Sequence, residues 1–269
     1  MNEIGSAVLV FVLLLTGTSA GVLVKPLLPE EHTAHETVQL IQLVIGMLVT
    51  FTALVMGLMT ASAKNNFDTV GNDFRSYSAD LIQLNATLRE YGTEAAGVRQ
   101  ILRAYTAAAI ASTWAQEPRP PGNYYPTNVP TAGGSEKLED TQLGDMLNDA
   151  GQKLQQLKAP DAYHQRLLQV GIAQFQRIVE ARWKLIEEAH STISQPFFAT
   201  LTFWLIIIFL SFGLIAPRNA LALVMIMLGA LSIASAVYVI VDLDTPFTGP
   251  IVISSQPMRD ALVHLNRQD

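Results

Sequence analysis

The sequence predicts an all-α integral membrane protein: four transmembrane helices, with a cytoplasmic helical stalk domain between helices 2 and 3. Three observations predict it. Ile4 to Val24, Val38 to Ala63, Phe197 to Ala216 and Ala220 to Val241 are each apolar over the roughly 20 residues a helix needs to cross a bilayer. A run of apolar and small residues at heptad spacing follows the second of these stretches. Basic residues gather in the central segment and the C-terminal tail, leaving one lysine between Lys25 and Thr37 and one arginine in Pro217-Arg218-Asn219.

Composition narrows the classes. Half of the 269 residues are hydrophobic and only 15% are charged, where soluble domains carry roughly a quarter. That disfavours a soluble enzyme. The net charge of -6, from 17 Lys+Arg against 23 Asp+Glu, leaves no basic field to hold nucleic acid. Without cysteine there is no disulfide framework, thiolate metal site or cysteine nucleophile.

The first span has only Glu3 at its edge, and its tail Gly17-Thr18-Ser19-Ala20 could pass for a signal-peptide cleavage site. A signal peptide, however, wants a positive n-region, and no Lys or Arg precedes Lys25. The loop before the second span carries Glu30, Glu31, His32, His35 and Glu36, a set open to a metal or pH-sensing reading. A Thr33-x-x-Glu36 capping box at the head of that span explains more.

From Phe67 the seam runs through Val70, Phe74, Tyr77, Leu81, Leu84, Leu88, Tyr91, Ala95, Val98, Leu102, Tyr105 and Ala109. No proline lies between Pro29 and Pro118, so the second span is expected to continue as a helix to Trp114, about 70 Å beyond Phe67, with Gly71, Gly92 and Gly97 as places to bend. The seam packs either on the same chain's helices or between subunits. Glu117 to Gly134, with five prolines and three glycines, reads as an irregular connection. Helices over about Glu136 to Leu157 and from near Pro160 then lead back, the second through Leu168, Ile172, Phe175, Val179, Ile186 and Ile193, to re-entry at Pro196. His164, His190 and His264 are isolated and read as surface or packing residues.

The division is thus 4–63 for transmembrane helices 1 and 2, 64–195 for a cytoplasmic helical domain, 196–241 for helices 3 and 4, and 242–269 for a cytoplasmic tail. With Lys64, Arg75, Arg182, Lys184 and Arg259 near the membrane, both termini are expected inside.

Ser211 to Ala220, Asp242-Leu243-Asp244-Thr245-Pro246-Phe247-Thr248-Gly249 and Ser254 to Leu262 resemble the prokaryotic bestrophin-like domain family. Gly46, Ala53 to Leu58, Leu84 to Gly92 and Arg99 to Trp114 agree with it, so the likeness covers most of the chain. The resemblance implies a multi-pass protein of the bacterial plasma membrane. More distantly it implies a bestrophin-like ion channel: a homo-oligomer, a pentamer if the likeness extends to assembly, with the second span lining a pore for inorganic ions. Calcium-responsive bestrophins carry a dense acidic cluster after the fourth span; here Asp242 and Asp244 stand there as candidate metal ligands. Two carboxylates fall short of the roughly six to eight oxygens calcium takes. The other reading is that they end the fourth helix and fold the tail back beneath the membrane.

Stepped backwards at heptad spacing, the seam enters the second span at Ala63, Thr60, Met56, Ala53, Val49, Gly46, Gln42 and Gln39. Small residues allow close helix packing, whereas a pore would put the same stripe in water. Gln39 and Gln42 favour water, and Val49 and Met56 could form apolar constrictions, so Gln39, Gln42, Gly46, Val49, Ala53, Met56 and Thr60 are the candidate pore lining. No charged residue sits in the body of any span, which fits a passive pore better than a coupled pump. No GxSxG, glycine-rich phosphate loop or HExxH is present, so neither an enzyme nor a cofactor is expected. The competing class is a membrane-anchored scaffold or signalling protein without conductance.

Overall fold

The computed structural model describes residues 3–27, 29, 35–126, 140–189, 195–217 and 219–267. All regular structure among them is helical: α1 (Glu3–Val24), α2 (His35–Tyr91), α3 (Ala96–Thr113), α4 (Thr141–Gln155), α5 (Ala162–Ala189), α6 (Gln195–Ile215), α7 (Ala220–Asp244) and α8 (Gln256–Asn266). Four of them, α1, α2, α6 and α7, are long and apolar enough to cross a membrane. The chain divides into two compact units, 1–65 with 192–244, and 66–191 with 245–269.

In the first unit α1 packs on α6 and α7. Small residues permit this. A Cβ on Gly21 would stand 2.1 Å from the Leu210 carbonyl oxygen, and one on Gly213 would stand 2.1 Å from that of Thr18, so the two backbones touch where glycine alone fits. Gly17 and Thr18, which could pass for part of a cleavage site, are buried in this contact. Lys25 donates from Nζ to the Ala216 carbonyl at 2.9 Å, satisfying an orphan acceptor at the end of α6.

The second unit is built on the seam. Val70, Phe74, Tyr77, Leu81, Leu84, Leu88 and Tyr91 of α2 are buried, as are Ala95, Val98, Leu102, Tyr105 and Ala109 in and just before α3. The helix expected to continue to Trp114 is interrupted at Gly92, one of the three places where a bend was expected. α2 ends at Tyr91, Gly92 takes φ 105°, and a 3₁₀ turn over Thr93–Ala95 starts α3 back along α2. Positive φ is the left-handed region that glycine enters without a Cβ penalty, so Gly92 makes the reversal and helical Gly71 does not. Three contacts measure the fold-back: Arg99 Nε donates to Asn85 Oδ1 at 3.2 Å, Tyr77 and Tyr105 share a hydrogen bond of 2.5 Å, and the Phe74 and Trp114 rings meet at 5.2 Å. The seam is a hairpin zipped upon itself within one chain.

α4 begins at Thr141 because Asp140 caps it, accepting from the Gln142 amide at 2.7 Å. The start expected at Glu136, the Thr33 capping box and His190 lie outside the described residues. Ile178, Leu185 and Ile186 of α5 join the core, with Leu168, Ile172, Phe175 and Val179 packed against it. α8, an element the sequence reading did not anticipate, buries Met258, Ala261, Leu262 and Leu265.

Candidate functional site

The membrane part of α2 carries the candidate lining. Gln39, Gln42, Gly46, Val49, Ala53 and Thr60 are exposed in the single chain, Met56 is half-buried, and none of the seven is buried. The residues α2 does bury within the first unit are Ile45, Thr52, Met59 and Ala63. Except at Ala63, these lie one position before residues of the extrapolated stripe. Counted back from Val70 at 3.6 residues per turn instead of 3.5, the buried line passes through Ala63, Met59, Thr52 and Ile45, as a straight helix requires. The packed face and the stripe of small and polar residues are thus adjacent and distinct.

The hydroxyl of Thr60 on that stripe, and that of the neighbouring Thr50, donate to the Met56 and Gly46 carbonyls at 2.8 Å each. Such back-bonding satisfies the hydroxyl proton but leaves the oxygen's lone pairs available. Towards the N-terminal end of α2, Gln42, Gly46 and Val49 border an apolar groove of about 520 Å³ whose other wall is Phe212, Ile215, Ala222 and Met225 of α6 and α7. Further along, Phe51 meets Trp204 of α6 with ring centroids 6.5 Å apart.

Asp242 and Asp244 fall in the last turn of α7, Asp242 wholly buried and Asp244 half-buried. Among the described residues no cluster of three His, Cys, Asp or Glu side chains forms a metal-sized group. The two carboxylates by themselves fall short of the roughly six to eight oxygens calcium takes.

The segment after α7 turns sharply, with Thr248 N donating to the Thr245 carbonyl at 3.1 Å and Gly249 at φ 81°. Phe247 then inserts beside Phe74 and Trp114, at 5.6 and 6.2 Å. Trp114 Nε1 donates to the Ile253 carbonyl at 2.6 Å. Arg259 donates to Glu117 Oε2 at 2.9 Å and to the Pro118 carbonyl at 2.8 Å, and Ser255 donates to the same Glu117 carboxylate. These pairings fix the tail to the end of α3. The sequence held the partners in plain view, but nothing in their spacing couples Glu117 to Arg259.

A family model described as Bestrophin-like domain matches residues 12–258. Among solved structures, a bacterial bestrophin homologue from Klebsiella pneumoniae superposes with a TM-score of 0.65 at 14% identity, covering 98% of this chain and 97% of that one. Another structure of a bacterial bestrophin homologue from the same organism gives 0.63 at 14%, over 97% and 99%. A crystal structure described as a membrane protein gives 0.65 at 13%, over 99% and 100%. At such identities the likeness is one of fold. No curated protein sequence matches significantly.

Proposed function

The chain belongs to the bestrophin-like domain family, and from that membership we propose that it is a homo-oligomeric ion channel whose pore is lined by α2. The observation that carries this reading is the exposure of Gln39, Gln42, Gly46, Val49, Ala53 and Thr60 beside a separate, buried packing face. A stripe that exposes the Gln42 amide and a glycine is a poor surface to give to lipid, because polar groups in hydrocarbon need partners. A ring of copies, five if assembly follows the bestrophins, would turn those stripes inward around water.

In this reading 64–195 and the tail 242–269 lie in the cytoplasm, and the four spans sit in the bacterial plasma membrane with both termini inside. Ions would pass without coupling to a proton relay, since no ionisable residue stands in the body of a span. Val49 and Met56, the larger apolar residues of the stripe, would close the path by dewetting. Asp242 and Asp244 are assigned to ending α7 and starting the turn of the tail.

Planar-bilayer recording on purified protein tests the proposal. Unitary currents are expected, with Val49→Ala and Met56→Ala raising the open probability. Silence under varied calcium, pH and voltage, unrelieved by either substitution, would replace the channel with a membrane-anchored scaffold. The exposed Tyr163, Val170 and Trp183 of α5 would then be the surface to examine for partners.

A further inference from the structure

The apolar groove of the first unit, about 520 Å³ between α2 and the neighbouring ends of α6 and α7, has a cation at one end. Ile45, 8% exposed, is the wall residue that the chain buries most on α2, and Phe212, Met225 and Ile226 face it from α6 and α7. From Gln42 to Val49 the groove runs about 10 Å along α2. That depth lies within one leaflet, whose hydrocarbon is roughly 15 Å thick.

Chain connectivity fixes where the groove opens. Ala216 of its wall follows the last turn of α6, Ala222 stands in the first turn of α7, and Gln42 lies near the start of α2. α1 ends at the same level as α6, because a Cβ on Gly21 would meet Leu210 and Gly213, and Lys25 donates from Nζ to the Ala216 carbonyl at 2.9 Å. The cation therefore stands beside the groove at the end where these helices would leave a bilayer. An ammonium carries three donors, and this contact uses one. Polarity is graded inwards from there: Lys25 at the mouth, Gln42 as the polar side chain of the wall, and then Ile45, Gly46 and Val49.

A phospholipid has the same gradient, with charge outermost, esters next and hydrocarbon beneath. A second copy of a span matches the groove less well. Over about 10 Å of length a helix 10–12 Å across takes up more volume than the groove holds, so a neighbouring helix could roof the groove but not lie in it. An acyl chain is one methylene wide and can. A zwitterionic headgroup brings its own ammonium to its phosphate and gains less from Lys25 than an anionic headgroup does.

We propose that this groove seats an acyl chain of an anionic phospholipid whose phosphate is held by Lys25. The site requires the four spans to lie in a bilayer and does not depend on whether the protein conducts. Ile45 is buried while Gln42, Gly46 and Val49 are exposed, so the acyl chain lies along the flank of the α2 stripe and leaves its outward side to the proposed pore.

Native mass spectrometry of the full-length protein, released from detergent with phosphatidylglycerol or phosphatidylcholine of identical acyl chains, tests the site. Wild type should retain one phosphatidylglycerol per chain about fivefold more tightly than phosphatidylcholine, a preference that shrinks at high ionic strength. Lys25→Gln, whose amide can still donate to Ala216, should bring the two lipids to equal affinity. Ala222→Phe, which fills the groove, should weaken both lipids, whereas Leu223→Phe, outside the groove on the same helix and at a position 60% exposed, should weaken neither. Each variant is compared only where it elutes as the wild type does, and the salt dependence reads the charge without any substitution. Equal affinities in wild type, a preference that survives Lys25→Gln or high salt, or binding that Ala222→Phe leaves unchanged overturns the proposal. So does retention of neither lipid, the result expected if a neighbouring subunit covers the groove.

Discussion

The hydroxyls of Tyr77 and Tyr105 meet at 2.5 Å in the buried seam, one from each arm of the hairpin that Gly92 closes. Tyr105 is also held by Arg182, itself buried. The two tyrosines are therefore unequal: Tyr77→Phe leaves Tyr105 its arginine, whereas Tyr105→Phe strips Tyr77 of its hydrogen-bond partner and Arg182 of an acceptor. Tyr77→Phe is expected to cost about 1 kcal/mol and Tyr105→Phe about 2–3 kcal/mol. Chemical unfolding in detergent, followed by tryptophan fluorescence, measures the order. The double variant should cost less than the sum, as for groups sharing one network.

The turn at Gly92 gives a second, local test. Its φ of 105° puts any side chain into the left-handed half of backbone space, so Gly92→Ala should destabilise by about 1–2 kcal/mol. Gly71, inside α2 with open space around it, should respond oppositely, with Gly71→Ala stabilising by up to about 1 kcal/mol. Equal shifts in melting temperature would contradict the hairpin.

How far the sequence was legible follows from what each element must satisfy. The bilayer demands unbroken apolar composition, so α1, α6 and α7 were visible to within a few residues. The seam was visible because core positions repeat. Its direction was not: a heptad run is equally consistent with one long rod and with two arms folded together, and Gly71, Gly92 and Gly97 look alike until a positive φ singles out Gly92. Met59, Thr52 and Ile45 are buried one position before Thr60, Ala53 and Gly46, so the face of α2 that packs within the chain runs beside the extrapolated stripe, a distinction heptad spacing alone does not draw. The Glu117–Arg259 and Asp73–Lys184 pairings join residues far apart in sequence, and spacing alone carries no sign of either.

In the first unit the close approach of α1 to α6 predicts a contrast between glycines. Gly213→Val drives a side chain into the Thr18 backbone, and helices that must separate to admit it lose the packing that holds them in lipid. The purified variant should aggregate or fail to accumulate. Gly57→Val, with nothing within 4 Å, should elute as the wild type does. Loss of both would show that any added bulk in the spans is rejected and that the α1–α6 contact is not special.

Orientation can be tested against zero background, because the chain has no cysteine. With both termini inside, Leu27→Cys faces the exterior and Asn123→Cys the cytoplasm. A membrane-impermeant maleimide applied to intact cells should label the first and spare the second until the cells are opened. The reverse pattern would invert the topology.

The same background makes the α2 face testable separately from conductance. Thr52 is buried within the chain, Leu54 is 60% exposed, and Ala53 between them lies on the proposed lining. A thiol reacts as the thiolate, which forms in water and is suppressed where a charge cannot be solvated. If the stripe faces an aqueous path, a hydrophilic thiol reagent should modify Ala53→Cys at least about tenfold faster than Thr52→Cys, shut off by packing, or Leu54→Cys, shut off by lipid. Val49→Cys should follow Ala53→Cys, since both lie on one stripe at helical spacing. If Ala53→Cys is as unreactive as Leu54→Cys, the face is covered by lipid or by another helix, and the small residues of α2 are there for packing. If all positions react alike, the reagent is reaching the helix through disordered protein, which the wild-type elution profile of each variant would expose.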